Sequence, residues 1–153
     1  MNMKDLYQEL IIDHGTHPRN CCEIKNANGT AEGFNPLCGD KVRVYLKIEN
    51  QKIEEASFTG TGCAISIASA SLMTEILIGK SIEEALALSH SFHDALVNDC
   101  SASPESQYET SFGKLTALMG VRAFPARVKC ATLSWHTLQA ALQHDPHPVT
   151  TED

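Results

Sequence analysis

Four side chains at three places in the chain could share one centre: Cys38 and Asp40 of Cys38-Gly39-Asp40, then Cys63, then Cys130. Three thiols and one carboxylate are a complete donor set for one tetrahedral thiophilic metal. The carboxylate is the harder donor, so it closes the site while leaving one position easier to exchange. Such chemistry requires the chain to fold so that the three places meet.

Pattern brings two of them together. Residues 42–49 (VRVYLKIE) alternate, with Val42, Val44, Leu46 and Ile48 on one side. That period of two marks a half-buried strand. Residues 53–60 (IEEASFTG) form a second run, with Ala56 and Phe58 in phase. The polar Asn50-Gln51-Lys52 between them is short enough for a hairpin. Pairing Leu46 with Ala56 and Val44 with Phe58 sets Asp40 opposite Gly62; a slip of one residue sets it opposite Thr61. Either register delivers Cys63 to the open end of the hairpin, beside Cys38 and Asp40. Ile53 is out of phase, which predicts a bulge or irregular turn near it. Spacing alone does not place Cys130.

The remaining elements read more coarsely. A helix is expected over 3–14, with Leu6, Leu10 and Ile11 on one face and Gly15 and Pro18 at its end. Residues 15–28 read as loop and 29–35 as a short edge strand. A helix over 64–78 follows, with Ile65, Ala68, Leu72 and Ile76 on one face and Gly79 as its stop. Ser81 and Glu84 have capping-box spacing for a short helix to about 88. Further helices are expected over 91–98, 110–120 and 130–143, with 99–109 an exposed loop. Residues 1–143 make one domain, and 144–153 a polar, mobile tail.

Composition sets the class. At 153 residues, 42% hydrophobic and 20% charged, the chain suits one soluble globular domain. Its net charge of −7 argues against nucleic acid, which calls for a basic footprint. No apolar stretch approaches a signal peptide or a membrane span, so no membrane role and a cytoplasmic location are expected. Thiols stay reduced there, and six cysteines then point to metal or sulfur chemistry rather than disulfides. No apolar repeat offers a coiled-coil seam, and a monomer is expected.

Cys63 and Cys130 both fall at expected helix N-termini, where the dipole and free N–H groups favour thiolate. Lys129 and Arg127 add positive charge beside Cys130. Gly39 permits a tight or left-handed turn that lets Cys38 and Asp40 point to one centre. Taken singly, a cysteine before a helix is ordinarily a small buried hydrophobe; the shared placement carries the metal reading. Cys21, Cys22 and Cys100 read as peripheral. His14, His17, His90 and His93 share no pattern, and His136 lies six residues from Cys130, off its helical face. Trp135 reads as core. The Ala/Ser face of 64–71 reads as close helix packing.

Three segments, NPLCGDKVRVYL, GTGCAISIASASLMTE and RVKCATLSWHTLQAAL, resemble the signature segments of the U-type iron–sulfur cluster assembly proteins, the IscU/NifU N-terminal family. LYQELIIDH and HPRN resemble its N-terminal segment, so the likeness spans about 5–143. The SufU branch is more similar than the IscU branch. Lys129 stands where IscU-type proteins have His, Ala123–Lys129 lacks their Leu-Pro-Pro-Val-Lys chaperone segment, and 66 residues separate Cys63 from Cys130. The resemblance implies an α+β fold, a small, mainly antiparallel, three-stranded sheet covered by helices. It implies Cys38, Asp40, Cys63 and Cys130 as metal ligands, and for Arg127 an orienting role.

The expected function is iron–sulfur cluster biogenesis. A zinc-binding acceptor takes persulfide sulfur from a SufS-type cysteine desulfurase and passes it to a downstream scaffold or apo-protein. Cys38 is the expected acceptor, because its glycine-flanked loop moves most easily. Such a protein is a sulfurtransferase-like activator of the desulfurase rather than a stand-alone enzyme. Two alternatives stay open: a scaffold on which the three cysteines hold a labile [2Fe–2S] cluster, and a non-catalytic adaptor with structural zinc.

Overall fold

The computed structural model describes residues 3–97, 113–145 and 147–150, with side chains from residue 7 onward. In chain order it gives α1 (Met3–Thr16), β1 (Gly29–Asn35), β2 (Asp40–Glu49), β3 (Lys52–Thr61), α2 (Ala64–Leu77), α3 (Ile82–Val97), a 3-10 helix (Gly113–Ala123), α4 (Pro125–Leu142) and β4 (Val149–Thr150). The fold is α+β, as expected.

The sheet order is β3-β2-β1-β4. β1, β2 and β3 are antiparallel, and β4 pairs parallel to β1 at Gly33 and Phe34. The expected three strands are therefore four in a mixed sheet. β1, expected at the edge, is paired on both sides. A two-residue strand is too short to leave a periodic signature in sequence.

The hairpin register is the one that alternation demands: Leu46 faces Ala56, Val44 faces Phe58, and Lys41 faces Thr61. Asn50 and Gln51 both take positive φ, which matches a two-residue hairpin turn to the strand twist. The register shifts between Lys47 and Ile48, because Glu55 and Ile53 are their partners and Glu54 is left as the extra residue. This is the irregularity that the phase of Ile53 calls for.

Val42, Val44, Leu46, Ala56 and Phe58 are all buried, so one face of the sheet lies under helices. α4 packs on β1 and β2, α2 packs on β3 and α4, and α1 packs on α2. Gly33 is where α4 comes closest: a Cβ there would lie 2.1 Å from Thr137 Oγ1. Gly29 lies under Ala141, whose carbonyl oxygen would be 3.2 Å from an added Cβ. Thus Ala141, Thr137 and Leu133 on α4 run along Gly29 and Gly33 of β1. Cys130 continues that helical stripe and Asn35 continues the strand face.

The Ala/Ser face of α2 is packing, as read: Ser66, Ala68, Ser69, Ala70 and Ser71 are buried. Ser69 donates to the Ala131 carbonyl at 2.5 Å and accepts from Trp135 Nε1 at 3.2 Å. Trp135 is core and meets Phe92 at 5.1 Å between ring centroids.

Three helix expectations change. Residues 82–97 form one helix, not two, since no Gly or Pro interrupts Ile82–Val97. The expected helix near 110–120 is a 3-10 helix where described, and 110–112 lie outside the described residues, as do 99–109 and Cys100. The last helix begins at Pro125 rather than near 130, with Phe124 as its N-cap. Proline suits the first helical turn, because its missing N–H has no partner there anyway. Among the described residues, no helix is long and apolar enough to cross a membrane.

The capping box at α3 is formed in both directions. The Ser81 N–H donates to Glu84 Oε1 at 3.0 Å, and the Glu84 N–H donates to Ser81 Oγ at 3.1 Å. Ser81→Ala removes one half of it and is expected to cost about 1 kcal/mol. Chemical denaturation reads this as a lowered midpoint with an unchanged slope.

Candidate metal centre

The centre forms where the buried face of the sheet runs out. Asp40 is in phase with Val42, Val44 and Leu46, so it points to the helix-covered side and is only 2% exposed. Asn35 is its cross-strand partner on β1 and is fully buried. Residues 36–39 form the turn between them, and Gly39 has φ +71°, the left-handed geometry read from the sequence. Cys38 sits on this turn, half-buried. β3 ends at Thr61, and Cys63 is the N-cap of α2. Cys130 arrives from α4, across the stripe over β1, and is fully buried.

Hydrogen bonds tie these pieces together. The Cys63 backbone N–H donates to Asp40 Oδ1 at 2.9 Å. Asn35 Nδ2 donates to Asp40 Oδ2 at 3.0 Å and to Cys130 Sγ at 3.4 Å. The Cys130 thiol donates to Cys38 Sγ at 3.2 Å. The donor atoms of Cys38, Asp40 and Cys130 all lie within 4.8 Å of one another. Zinc–sulfur bonds of about 2.3 Å place tetrahedral ligands about 3.8 Å apart, so this trio has the right scale. Cys63 lies outside the tight trio, and its backbone N–H on Asp40 Oδ1 holds it at the edge of the cluster.

The electrostatics correct one expectation. Cys130 is the sixth residue of α4, not its opening one, so the helix N-terminus does not make it a thiolate. Burial pushes its thiol well above the ordinary range, and the neighbouring Cys38, Asp40 and Cys63 side chains add to the rise. A buried cluster of this kind cannot carry several negative charges alone. A cation held there would supply the missing charge, and its binding would release protons. Two thiols, a buried carboxylate and a nearby third thiol therefore fit a thiophilic divalent ion.

Other candidates fall elsewhere. Arg127 is exposed in the first turn of α4, three residues before Cys130. Cys21 and Cys22 are exposed in the loop before β1. His14 is 1% exposed, with Nδ1 at 2.7 Å from Ser71 Oγ, and locks α1 to α2. The sequence reading missed this role, since nothing local marks a buried histidine. His93 is not simply a surface residue: its ring meets His136 edge to face at 5.0 Å. The two line a separate cleft of about 730 Å³ along α3 and α4. Asn35 also escaped the sequence reading. Its available signal was its phase with Gly29, Ala31 and Gly33, which makes it a polar residue facing the core.

Gly62 is the steric key to Asp40. A Cβ there would lie 2.4 Å from Asp40 Oδ1. Gly62→Ala is expected to displace the carboxylate, break its bond to the Cys63 N–H and weaken metal binding by roughly 10-fold or more. Competition with a chromophoric chelator measures this; unchanged affinity would show that Asp40 does not need this geometry.

Comparison with known proteins places the arrangement. The family model of the NifU-like N terminal domain matches residues 6–144. The zinc-dependent sulfurtransferase SufU of Bacillus subtilis is 42% identical over 140 residues, spanning 90% of each chain. The iron–sulfur cluster assembly scaffold protein IscU of Streptococcus pyogenes is 36% identical over 141 residues, 92% of this chain and 85% of that one. The crystal structure of FiSufU from Fervidobacterium islandicum superposes with a TM-score of 0.79 at 34% identity, covering 92% of this chain and 99% of that one. The buried cysteine–aspartate cluster thus sits in a chain that belongs to the NifU-like N-terminal domain family of iron–sulfur cluster assembly proteins.

Proposed function

We propose that the protein is a zinc-binding sulfur acceptor of iron–sulfur cluster biogenesis. Cys38, Asp40, Cys63 and Cys130 hold the metal, and Cys38 takes sulfur from the persulfide of a SufS-type cysteine desulfurase. The observation that carries this reading is the inequality of the thiols. Cys130 is sealed in the core, whereas Cys38 is half-exposed on a turn next to Gly39. A donor persulfide reaches Cys38 first. Leu37 beside it is 60% exposed, so the approach is apolar and open. The SufU relative, named a zinc-dependent sulfurtransferase, supports zinc and sulfur transfer as the chemistry.

The transfer needs no external oxidant. Bound zinc keeps the cluster's thiols deprotonated at neutral pH. The Cys38 thiolate attacks the outer sulfur of the donor persulfide. A new S–S bond forms at Cys38, the donor S–S bond breaks, and the donor sulfur leaves as thiolate. Asp40, held by Asn35 and the Cys63 N–H, keeps its carboxylate oriented toward the thiols throughout. Arg127, exposed in the first turn of α4, is assigned the role of orienting the site. The acceptor then hands its outer sulfur to a downstream scaffold or apo-protein.

Metal analysis separates the ligands. Cys63→Ser and Cys130→Ser are expected to abolish tight zinc binding, and Asp40→Ala to weaken it. Cys21→Ser and Cys22→Ser are expected to leave one zinc per chain. Zinc loss in either of the last two, with circular dichroism unchanged, would refute the ligand assignment.

Mass spectrometry tests the acceptor. The zinc-loaded protein is incubated without oxygen with a cysteine desulfurase and cysteine, then digested. Added sulfur is expected on the peptide that contains Cys38, and Cys38→Ala is expected to abolish stimulation of the desulfurase while the two proteins still associate. Sulfur confined to Cys63 or Cys130 would move the acceptor role away from Cys38. No added sulfur, together with a reconstituted [2Fe–2S] cluster that passes to an apo-acceptor, would favour the scaffold function for which the IscU relative is named.

A further inference from the structure

Asn35 stands where the sheet calls for an apolar side chain. It is in phase with Gly29, Ala31 and Gly33, on the face covered by α4, and has no exposed surface. A buried amide needs partners. Among them are two metal-ligand candidates from two different elements: Asp40 Oδ2 of β2 at 3.0 Å and Cys130 Sγ of α4 at 3.4 Å, both from the same nitrogen. A carboxylate can only accept, so the nitrogen rather than the oxygen of the amide must face Asp40.

We propose that Asn35 is a positioning residue of the metal centre, which holds the Asp40 carboxylate and the Cys130 sulfur as a fixed pair and leaves Cys38 as the reactive thiolate. The inference rests on the metal-centre reading above. Asp40 gains orientation: its other oxygen is held by the Cys63 N–H at 2.9 Å, so both oxygens have fixed donors. Cys130 gains an N–H···S bond. That bond draws electron density from its sulfur and lowers its nucleophilicity without removing it as a ligand. Partners in this position around ligating groups tune affinity and orientation. Burial already shields Cys130 from a donor; Asn35 makes it chemically dull as well. Cys38 is left as the thiolate that is both accessible and movable.

Asn35→Leu, which keeps the branched skeleton and deletes the donors, tests the role with cobalt as the metal. Two readouts are taken on the purified full chain: cobalt affinity by competition, and the energy of the sulfur-to-cobalt charge-transfer band. Affinity is expected to fall roughly 10- to 100-fold, and the band to move to lower energy as the Cys130 sulfur becomes richer in electrons. A purely packing role would shift the melting temperature of the metal-free protein and leave the band in place. Wild-type affinity and band position in Asn35→Leu would overturn the proposal while the metal centre stands. An unsubstituted protein that binds no cobalt would overturn both. Where Asn35→Leu fails to fold, the unsubstituted protein loaded with an NMR-active cadmium isotope decides. A scalar splitting of the Asn35 side-chain amide protons by the metal, across the N–H···S bond, supports the proposal, and its absence in the cadmium-bound protein overturns it.

Discussion

The Asp40 carboxylate is the tie on which this end of the molecule depends. It is buried, and a buried carboxylate is costly unless every lone pair finds a donor or a cation. One oxygen is taken by the backbone of Cys63, just before α2, and the other by Asn35 from β1. Those two bonds connect β1, β2 and the β3–α2 junction at a single point. They also explain why Gly62 has no side chain there, since a Cβ would occupy the space of the carboxylate oxygen. A shift of one residue in the β2–β3 register would turn the apolar side chains of β3 to the wrong face of the sheet, while the pairing of Asp40 with Asn35 holds β2 to β1.

The cluster's charge is the second constraint. Burial raises the Cys130 thiol, and its neighbours raise it further because they also carry or share charge. The polypeptide alone therefore favours a protonated Cys130, whose thiol donates to Cys38. The same geometry is matched to a cation that would replace that proton. Binding of a metal there would also be a deprotonation of Cys130.

The distribution of burial then divides the labour among chemically similar groups. Cys130 lies on a helix pressed against glycines of β1 and cannot move without moving α4. Cys63 is held at the start of α2 through its own backbone. Cys38 is on a four-residue turn with a left-handed glycine beside it. Movement is cheapest where the backbone is neither in a ladder nor in a helix.

Sequence alone determined what local periodicity can carry. Alternation in Val42–Ile48 and in Ala56–Phe58 decided the hairpin and its register, and the hairpin in turn carries Cys63 to the end where Cys38 and Asp40 lie. The capping box at Ser81 and the Ala/Ser packing face of α2 were legible for the same reason: each is a pattern over a few neighbouring residues. The family resemblance supplied the α+β class. Tertiary structure decided the rest. Cys130 is 67 positions beyond Cys63, and only the packing of α4 along the glycine face of β1 brings it in. The start of α4 at Pro125 places Cys130 inside the helix and removes the expected help of the helix terminus, and its burial raises the thiol. β4, the burial of His14 and the bridge made by Asn35 were invisible beforehand, because each depends on contact between segments far apart in the chain. Burial and donor geometry arise only when those segments meet, and no local spacing encodes them.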